Sequence, residues 1–149
     1  MEYLALRKTP PSGLLQVLFA KLTMARLVTR YPHAGIVMGG TLYHSTFARG
    51  VHSMPFDNVG WDLFKIEIPQ ELLLDRFKSV KGAKYDWFSL LAFVLPFRVS
   101  MGKWLYCYEL AYLMMSGDIP IQRITPEDLL RIAYATHEST RDGALDLVH

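Results

Sequence analysis

Residues 33–46, with the sequence HAGIVMGGTLYHST, constrain the fold of this chain more than any other segment. Two short runs that favour β-structure flank the pair Gly39-Gly40. Glycine readily takes the positive φ angles that a two-residue hairpin turn requires. The segment is therefore predicted to form an antiparallel hairpin with strands at 33–38 and 41–46.

The register of this hairpin decides where its two histidines point. With a two-residue turn, Met38 faces Thr41, and Gly35 faces His44. Directly opposed residues share a face of the sheet, and so do residues two apart in one strand. His33 and His44 are then diagonal neighbours, roughly 7–8 Å apart at the backbone, and Gly35 leaves space between the rings. A turn longer by one residue would place the rings on opposite faces.

Other segments alternate between strand and helix patterns. A short strand is predicted at 2–8, a helix from Ser12 to about residue 29, and a strand in LFKIEIP at 63–69. Helices are predicted at about 70–80 and 86–95, and residues 49–60 are predicted to be a loop.

The C-terminal part contains two clear helix starts. WLYCYELAYLMMSG predicts a helix that begins near Cys107 and ends at Gly117. Thr125 is predicted to cap the last helix, with Pro126 in its first position and Asp128 completing a capping box. Together the elements predict an α+β fold, a small antiparallel sheet packed against helices. The chain is interpreted as a single domain, 1–149, with a loose tail from about residue 137.

Composition excludes several classes of function. The chain has 149 residues, of which 51% are hydrophobic, enough for one domain with a real core. A net charge of +2, spread along the chain, gives no support for nucleic-acid binding. The longest apolar run, residues 87–97, is shorter than the ~20 residues that span a bilayer. We see no clear signal peptide, which favours a cytoplasmic or virion-associated protein over a secreted one.

The chain has a single cysteine, so no disulfide can form within it. Cys107 lies at a predicted helix N-terminus, where the partial positive charge of the helix is expected to lower the thiol pKa below about 8.5. Backbone N–H groups at the same place can serve as an oxyanion hole. With His33 as a base and His44 holding it in the correct tautomer, a thiol nucleophile has the partners that it needs.

These segments resemble a known superfamily. HAGIVMGGTLYHST followed by WLYCYELAYLMM is similar to the circularly permuted branch of the NlpC-type papain-like superfamily, which includes YiiX-like proteins and lecithin:retinol acyltransferase-like enzymes. In that branch the histidine precedes the cysteine. His33 matches the His-x-Gly-aliphatic element, His44 the second polar position, and Cys107 with Glu109 the start of the cysteine helix. Tyr108 departs from the pattern, which frequently has serine there.

The resemblance implies a permuted papain-like fold with a catalytic triad of Cys107, His33 and His44. It implies a cysteine hydrolase (a peptidase or amidase) or an acyltransferase that works through a thioester. The substrates expected are peptides, peptidoglycan stem peptides or acyl lipids, with no cofactor and no metal ion.

Plainer interpretations stay open beside this one. The chain could be a structural or binding module that keeps a peptidase-like fold within a larger assembly, such as a phage particle, through an apolar surface. A weaker alternative is action on lipids at a membrane surface, motivated by the apolar segment 87–97. Cys107 could be a buried small hydrophobic residue, and His44 a structural one. His52 and His137 are interpreted as having no role. A zinc site made of two histidines and the cysteine ranks low, because no short-spaced ligand pair is present.

Overall fold

A computed structural model describes residues 1–9, 29–84 and 105–145, together with Val17, Lys21 and Met24; in the last helix, side chains are described as far as Thr136. Most of the helix predicted from Ser12 to residue 29, and all of the helix predicted at 86–95, lie outside the described residues.

The described residues form a five-stranded sheet and three helices, which confirms the predicted α+β class. Every strand pairing is antiparallel, and the strand order is β4-β3-β2-β1-β5. The strands are β1 (Glu2–Arg7), β2 (His33–Met38), β3 (Thr41–Thr46), β4 (Gly50–Pro55) and β5 (Trp61–Ile66). The helices are α1 (Gln70–Val80), α2 (Cys107–Ser116) and α3 (Pro126–Leu145).

The predicted hairpin is confirmed in both its turn and its register. Gly39 and Gly40 have φ angles of 54° and 75°, as a two-residue turn with two positive φ angles requires. Gly35 lies opposite His44, and Met38 lies opposite Thr41.

The loop predicted at 49–60 is wrong in its first half, where Gly50–Pro55 forms the edge strand β4. The glycine and proline at its ends are poor strand formers, so local propensity argues for a turn. Pairing with β3 decides otherwise. On the outer side of β4, the N–H of Val51 donates to the carbonyl of Ala83 at 2.8 Å, and the N–H of Gly82 donates to the carbonyl of Val51 at 3.0 Å.

The two faces of the sheet carry different side chains. One face packs against the helices and forms the large core, to which β2 contributes Ala34, Ile36 and Met38. The opposite face carries a smaller apolar cluster around Val37 and Leu42. Helix α2 lies against β2 and β3. Because side chains alternate along a strand, the backbone directs His33 and His44 to the face of the smaller cluster.

The predicted helix ends are confirmed. Gly117 ends α2 with a φ of 90°, and its N–H donates to the carbonyl of Leu113 at 2.8 Å. At the start of α3, the N–H of Asp128 donates to Oγ1 of Thr125 at 3.3 Å, while the N–H of Thr125 donates to the Asp128 carboxylate at 2.9 Å. The backbone of α3 is helical to Leu145, which includes much of the segment expected to be loose. No helix in the described ranges has both the length and the apolar character needed to cross a membrane.

Candidate active site

The two predicted site histidines are in direct contact. Nε2 of His33 lies 2.9 Å from Nδ1 of His44, and the ring centroids are 5.2 Å apart. The space above Gly35 was predicted to be open, but in the structure it is filled. A Cβ there would lie 2.7 Å from Cδ1 of Leu42 and 3.1 Å from Cβ of His44. Glycine is therefore needed because His44 and Leu42 pack directly over it.

A third histidine, which sequence reasoning assigned no role, continues this contact. His52 lies directly opposite His44, and their Nε2 atoms are 3.0 Å apart. Nδ1 of His52 lies 2.9 Å from the carbonyl oxygen of Gly50. The signal in the sequence was a short turn after Thr46, which pairs Thr46 with Gly50 and so places His52 opposite His44. We call His33, His44 and His52 the imidazole chain.

The imidazole chain has a defined direction. The carbonyl of Gly50 can only accept, so Nδ1 of His52 carries the proton, and Nε2 of neutral His52 is an acceptor. His44 must then donate from Nε2 to His52 and accept at Nδ1. His33 donates from Nε2 to His44. These assignments leave Nδ1 of His33 as the unprotonated nitrogen, the form that a general base requires.

Burial and charge keep the inner imidazoles neutral. Burial is the largest cause that lowers the pKa of His33 well below its ordinary value, followed by the positive charges that His44 and Arg7 can carry. Burial, His52 and Arg7 lower the pKa of His44 to about 4. Arg7 lies directly opposite His33 on β1, and its guanidinium lies 5.7 Å from the ring centroid of Trp61.

Cys107 is the first residue of α2, and its side chain is buried in the large core with 4% of its surface exposed. The main-chain N–H of Ala34, the residue that follows His33, acts to lower the pKa of the Cys107 thiol. Cys107 belongs to the large core, on the face of the sheet that packs against the helices. The pairing of β2 with β3 starts at Gly35 and His44, so Ala34 lies beyond the paired stretch.

The structure thus joins His33 to His44 on the face of the smaller cluster, whereas the side chain of Cys107 lies in the large core on the other face. Among the described residues, no hydrogen bond joins the sulfur of Cys107 to the ring of His33 or His44.

The predicted lowering of the Cys107 pKa is wrong. Burial raises the pKa of this thiol to about 12, and the carboxylate of Glu109 raises it further. The N–H groups of Ala34, Tyr108 and Cys107 itself act in the opposite direction. The helix terminus was predicted correctly, but its effect on the thiol pKa is smaller than the cost of placing a thiolate in the core. The resting thiol is therefore neutral.

Buried hydrogen bonds hold the start of α2 in place. The hydroxyl of Ser45 on β3 donates to the carbonyl of Leu105 at 2.6 Å, and the hydroxyl of Tyr108 donates to the carbonyl of Tyr31. Ser45 and Tyr108 are both fully buried. These bonds tie the residues on either side of Cys107 to the sheet and to the residues just before β2.

Glu109 supports the helix start. Its carboxylate accepts the N–H of Tyr106 at 3.4 Å, just ahead of α2. The Tyr106 hydroxyl accepts the N–H of Ile124 at 3.1 Å. Tyr106 and Tyr108 are core residues, and Trp104, Tyr85 and Trp87 lie outside the described residues.

Within the described ranges, no group of three or more His, Cys, Asp and Glu side chains is placed to hold a metal ion. A comparison of the chain with protein-family models finds no match, and neither does a comparison with curated protein sequences.

Proposed function

We propose that this protein is a cysteine-dependent hydrolase or acyltransferase with Cys107 as the nucleophile, His33 as the base and His44 as the residue that orients His33. The observation that carries the proposal is that the main-chain N–H of Ala34, the residue next to His33, acts to lower the pKa of the Cys107 thiol. The helix that begins at Cys107 also packs against β2, the strand that bears the base. The permuted papain-like fold, which the sequence resembles, belongs to the same proposal.

In the first half of the reaction, the sulfur of Cys107 attacks the carbonyl carbon of an ester or amide. The thiol proton passes to Nδ1 of His33, and the carbonyl π electrons move to the oxygen. The N–H groups of Cys107 and Tyr108 act to lower the pKa of the thiol, so they favour negative charge at this position. They precede the first helical hydrogen bond of α2, from Leu110 to Tyr106. We assign the developing oxyanion to these N–H groups.

In the second half, the bond from the carbonyl carbon to the leaving group breaks, and the leaving group takes the proton from His33. The product is a thioester on Cys107. Water or a second acyl acceptor then attacks the thioester, with His33 taking its proton, and the sulfur leaves and is reprotonated. Water gives hydrolysis, and another acceptor gives acyl transfer.

The resting pair is neutral. The pKa of Cys107 is raised to about 12, and that of His33 is lowered. A preformed ion pair of thiolate and imidazolium is therefore disfavoured at neutral pH. The sulfur loses its proton as it attacks, so the base role of His33 is essential to the step.

The proposed substrates share a carbonyl group with a leaving group. They are the classes implied by the resemblance, namely peptides, peptidoglycan stem peptides and acyl lipids. The ring of Trp61 lies 5.8 Å from that of His33, between centroids.

A second candidate function is a binding module within a larger assembly. It is favoured by the burial of Cys107, because a core thiol with a raised pKa is the ordinary state of an unreactive cysteine. Exposed apolar side chains, such as Val59 at 75% and Ile121 at 92%, would supply contact area.

An activated ester distinguishes the two functions without knowledge of the natural substrate. The protein is incubated with p-nitrophenyl acetate at neutral pH, quenched in acid, and examined by intact mass and peptide mapping. We expect one acetyl group on Cys107, removable by neutral hydroxylamine. Cys107→Ala should lose it, and His137→Gln on α3 should keep it. Absence of an acetyl group on Cys107 would favour the binding module.

A further inference from the structure

The proposed function accounts for Cys107, His33 and His44 but leaves His52 without a task. We infer that His52 sets the proton positions of the imidazole chain and carries the positive charge once the proton of Cys107 has entered it. This inference rests on the proposed function and adds a positioning residue to the same site.

The proton positions follow from the hydrogen bonds of the imidazole chain. A proton can sit on Nδ1 of His33, in the bond from His33 to His44, in the bond from His44 to His52, or on Nδ1 of His52. Three neutral imidazoles fill all but one of these positions. The carbonyl of Gly50 requires a proton on Nδ1 of His52. The vacancy therefore falls at Nδ1 of His33, the far end of the chain.

Proton transfer from Cys107 fills that vacancy and adds one positive charge. Nε2 of His33 and Nδ1 of His44 are 2.9 Å apart, and the proton between them can shift to His44. The Nε2 atoms of His44 and His52 are 3.0 Å apart, and the proton between them can shift to His52. His33 and His44 are then neutral again, and His52 is the imidazolium. The S–H bond of Cys107 breaks as the proton leaves; otherwise only N–H bonds change, and no ring needs to rotate.

The surroundings make His52 the better holder of this charge. It is half-buried on the edge strand β4, whereas His44 is 5% exposed. In the described part of the chain, the charged groups that act on His33 and His44 are Arg7 and the neighbouring imidazoles. Arg7 lies opposite His33, at the end away from β4. At the other end, the carbonyl of Gly50 faces the N–H of His52.

The position of Gly50 is fixed by its neighbours. Its φ of 64° is readily adopted by glycine, and a Cβ there would collide with the carbonyl of Ala83. Val51 exchanges hydrogen bonds with Ala83 and Gly82 at 2.8 and 3.0 Å. The carbonyl that orients His52 is thus held by the backbone on both sides.

Long-range ¹H–¹⁵N spectra of protein labelled at histidine test the inference directly, because they report which ring nitrogens carry protons. In the wild-type protein at about pH 7.5, we expect unprotonated Nδ1 in His33 and unprotonated Nε2 in His52. This pH is about one unit above the ordinary histidine pKa. A proton on Nδ1 of His33 at this pH, or an Nδ1 of His52 that lacks a proton, would overturn the inference.

Two variants separate positioning from charge uptake. His52→Gln offers an amide oxygen to the N–H of His44 but cannot take a proton, and His52→Leu offers neither. We expect His52→Gln to keep the tautomers of His33 and His44 and His52→Leu to mix them. Both substitutions should slow acylation of Cys107 by about tenfold or more, because each removes a side chain that orients the reactive imidazole of His33 through His44. Wild-type acylation in His52→Gln would overturn the charge-carrying role.

The failure of this inference can be told apart from failure of the proposed function. The spectra need no substrate. If the proton positions are as expected but Cys107 is not acylated, the proposed function is refuted and the inferred proton positions stand. If Cys107 is acylated but Nδ1 of His33 carries a proton in the resting protein, the inference is refuted and the proposed function stands. Should the variants fail to fold, the wild-type spectra decide.

Discussion

The rings of His44 and His52 face each other across β3 and β4, with 3.0 Å between their Nε2 atoms. This contact extends the bond between His33 and His44 to the edge of the sheet, where the carbonyl of Gly50 ends it. A carbonyl cannot donate, so the direction of every bond in the imidazole chain is fixed from that end.

The stability of the protein should fall in mild acid because of His44. Burial, His52 and Arg7 lower its pKa from 6.5 to about 4, so the unfolded chain takes up the proton at higher pH than the folded one. The contribution is complete above pH 6.5 and is lost progressively toward pH 4. At ~1.4 kcal/mol per pKa unit it totals ~3 kcal/mol. Urea unfolding across this range measures it, and His44→Gln should flatten the slope. Equal slopes in the two proteins would contradict the prediction.

Arg7→Met should raise the pKa of both His33 and His44, because the guanidinium opposes a positive charge on either ring. Methionine keeps most of the apolar stem of the side chain. The ¹⁵N shifts of the two rings, followed against pH, report the change. Lys65→Met, which removes an exposed cation from β5, is the control and should leave both titrations unchanged. Unchanged titrations in Arg7→Met would show that its charge does not reach the rings.

Native Cys107 should react with iodoacetamide more slowly than the same cysteine in urea-unfolded protein at neutral pH. The folded thiol has its pKa raised from 9.0 to about 12 and is 4% exposed, so little thiolate is present. As the pH rises, the rate in the unfolded chain should level off above pH 9, while the native rate continues to climb. A native rate that levels off below pH 9 would mean that the thiol is activated at rest.

Ser45→Ala should destabilise the protein by about 1–3 kcal/mol, because it leaves the buried carbonyl of Leu105 without its donor. Acylation of Cys107 should also slow, since Leu105 leads into α2. Ser79→Ala is the matched control. The Ser79 hydroxyl donates to the carbonyl of Arg76 on the exposed side of α1, and its loss should change stability by less than about 0.5 kcal/mol. Equal effects of the two substitutions would show that the bond from Ser45 does not hold α2.

The parts of the fold that could be predicted from the sequence are those fixed by local chemistry. Gly39 and Gly40 specify a two-residue turn, and that turn specifies the register that brings His33 to His44. Thr125 and Pro126 specify a helix start in the same way. In each case one side-chain property determines the backbone, so tertiary contacts add little information.

The missed features depend on contacts that no local pattern contains. Strand β4 has glycine and proline at its ends and exists because β3 pairs with it, so His52 was assigned to a loop. The pKa of Cys107 was predicted from its helix position, but the depth of its burial in the core decides the direction. Burial and strand pairing are properties of the whole domain, which a single segment does not encode.

The rate at which p-nitrophenyl acetate acetylates Cys107, compared between the wild-type protein and His33→Gln at neutral pH, tests the central claim most directly. The account predicts that the wild-type rate exceeds the variant rate by about 10²–10⁴, the range for loss of a general base, while His137→Gln matches the wild type. Equal rates in the wild type and His33→Gln, or acetylation in neither, would contradict the assignment of His33 as the base for Cys107.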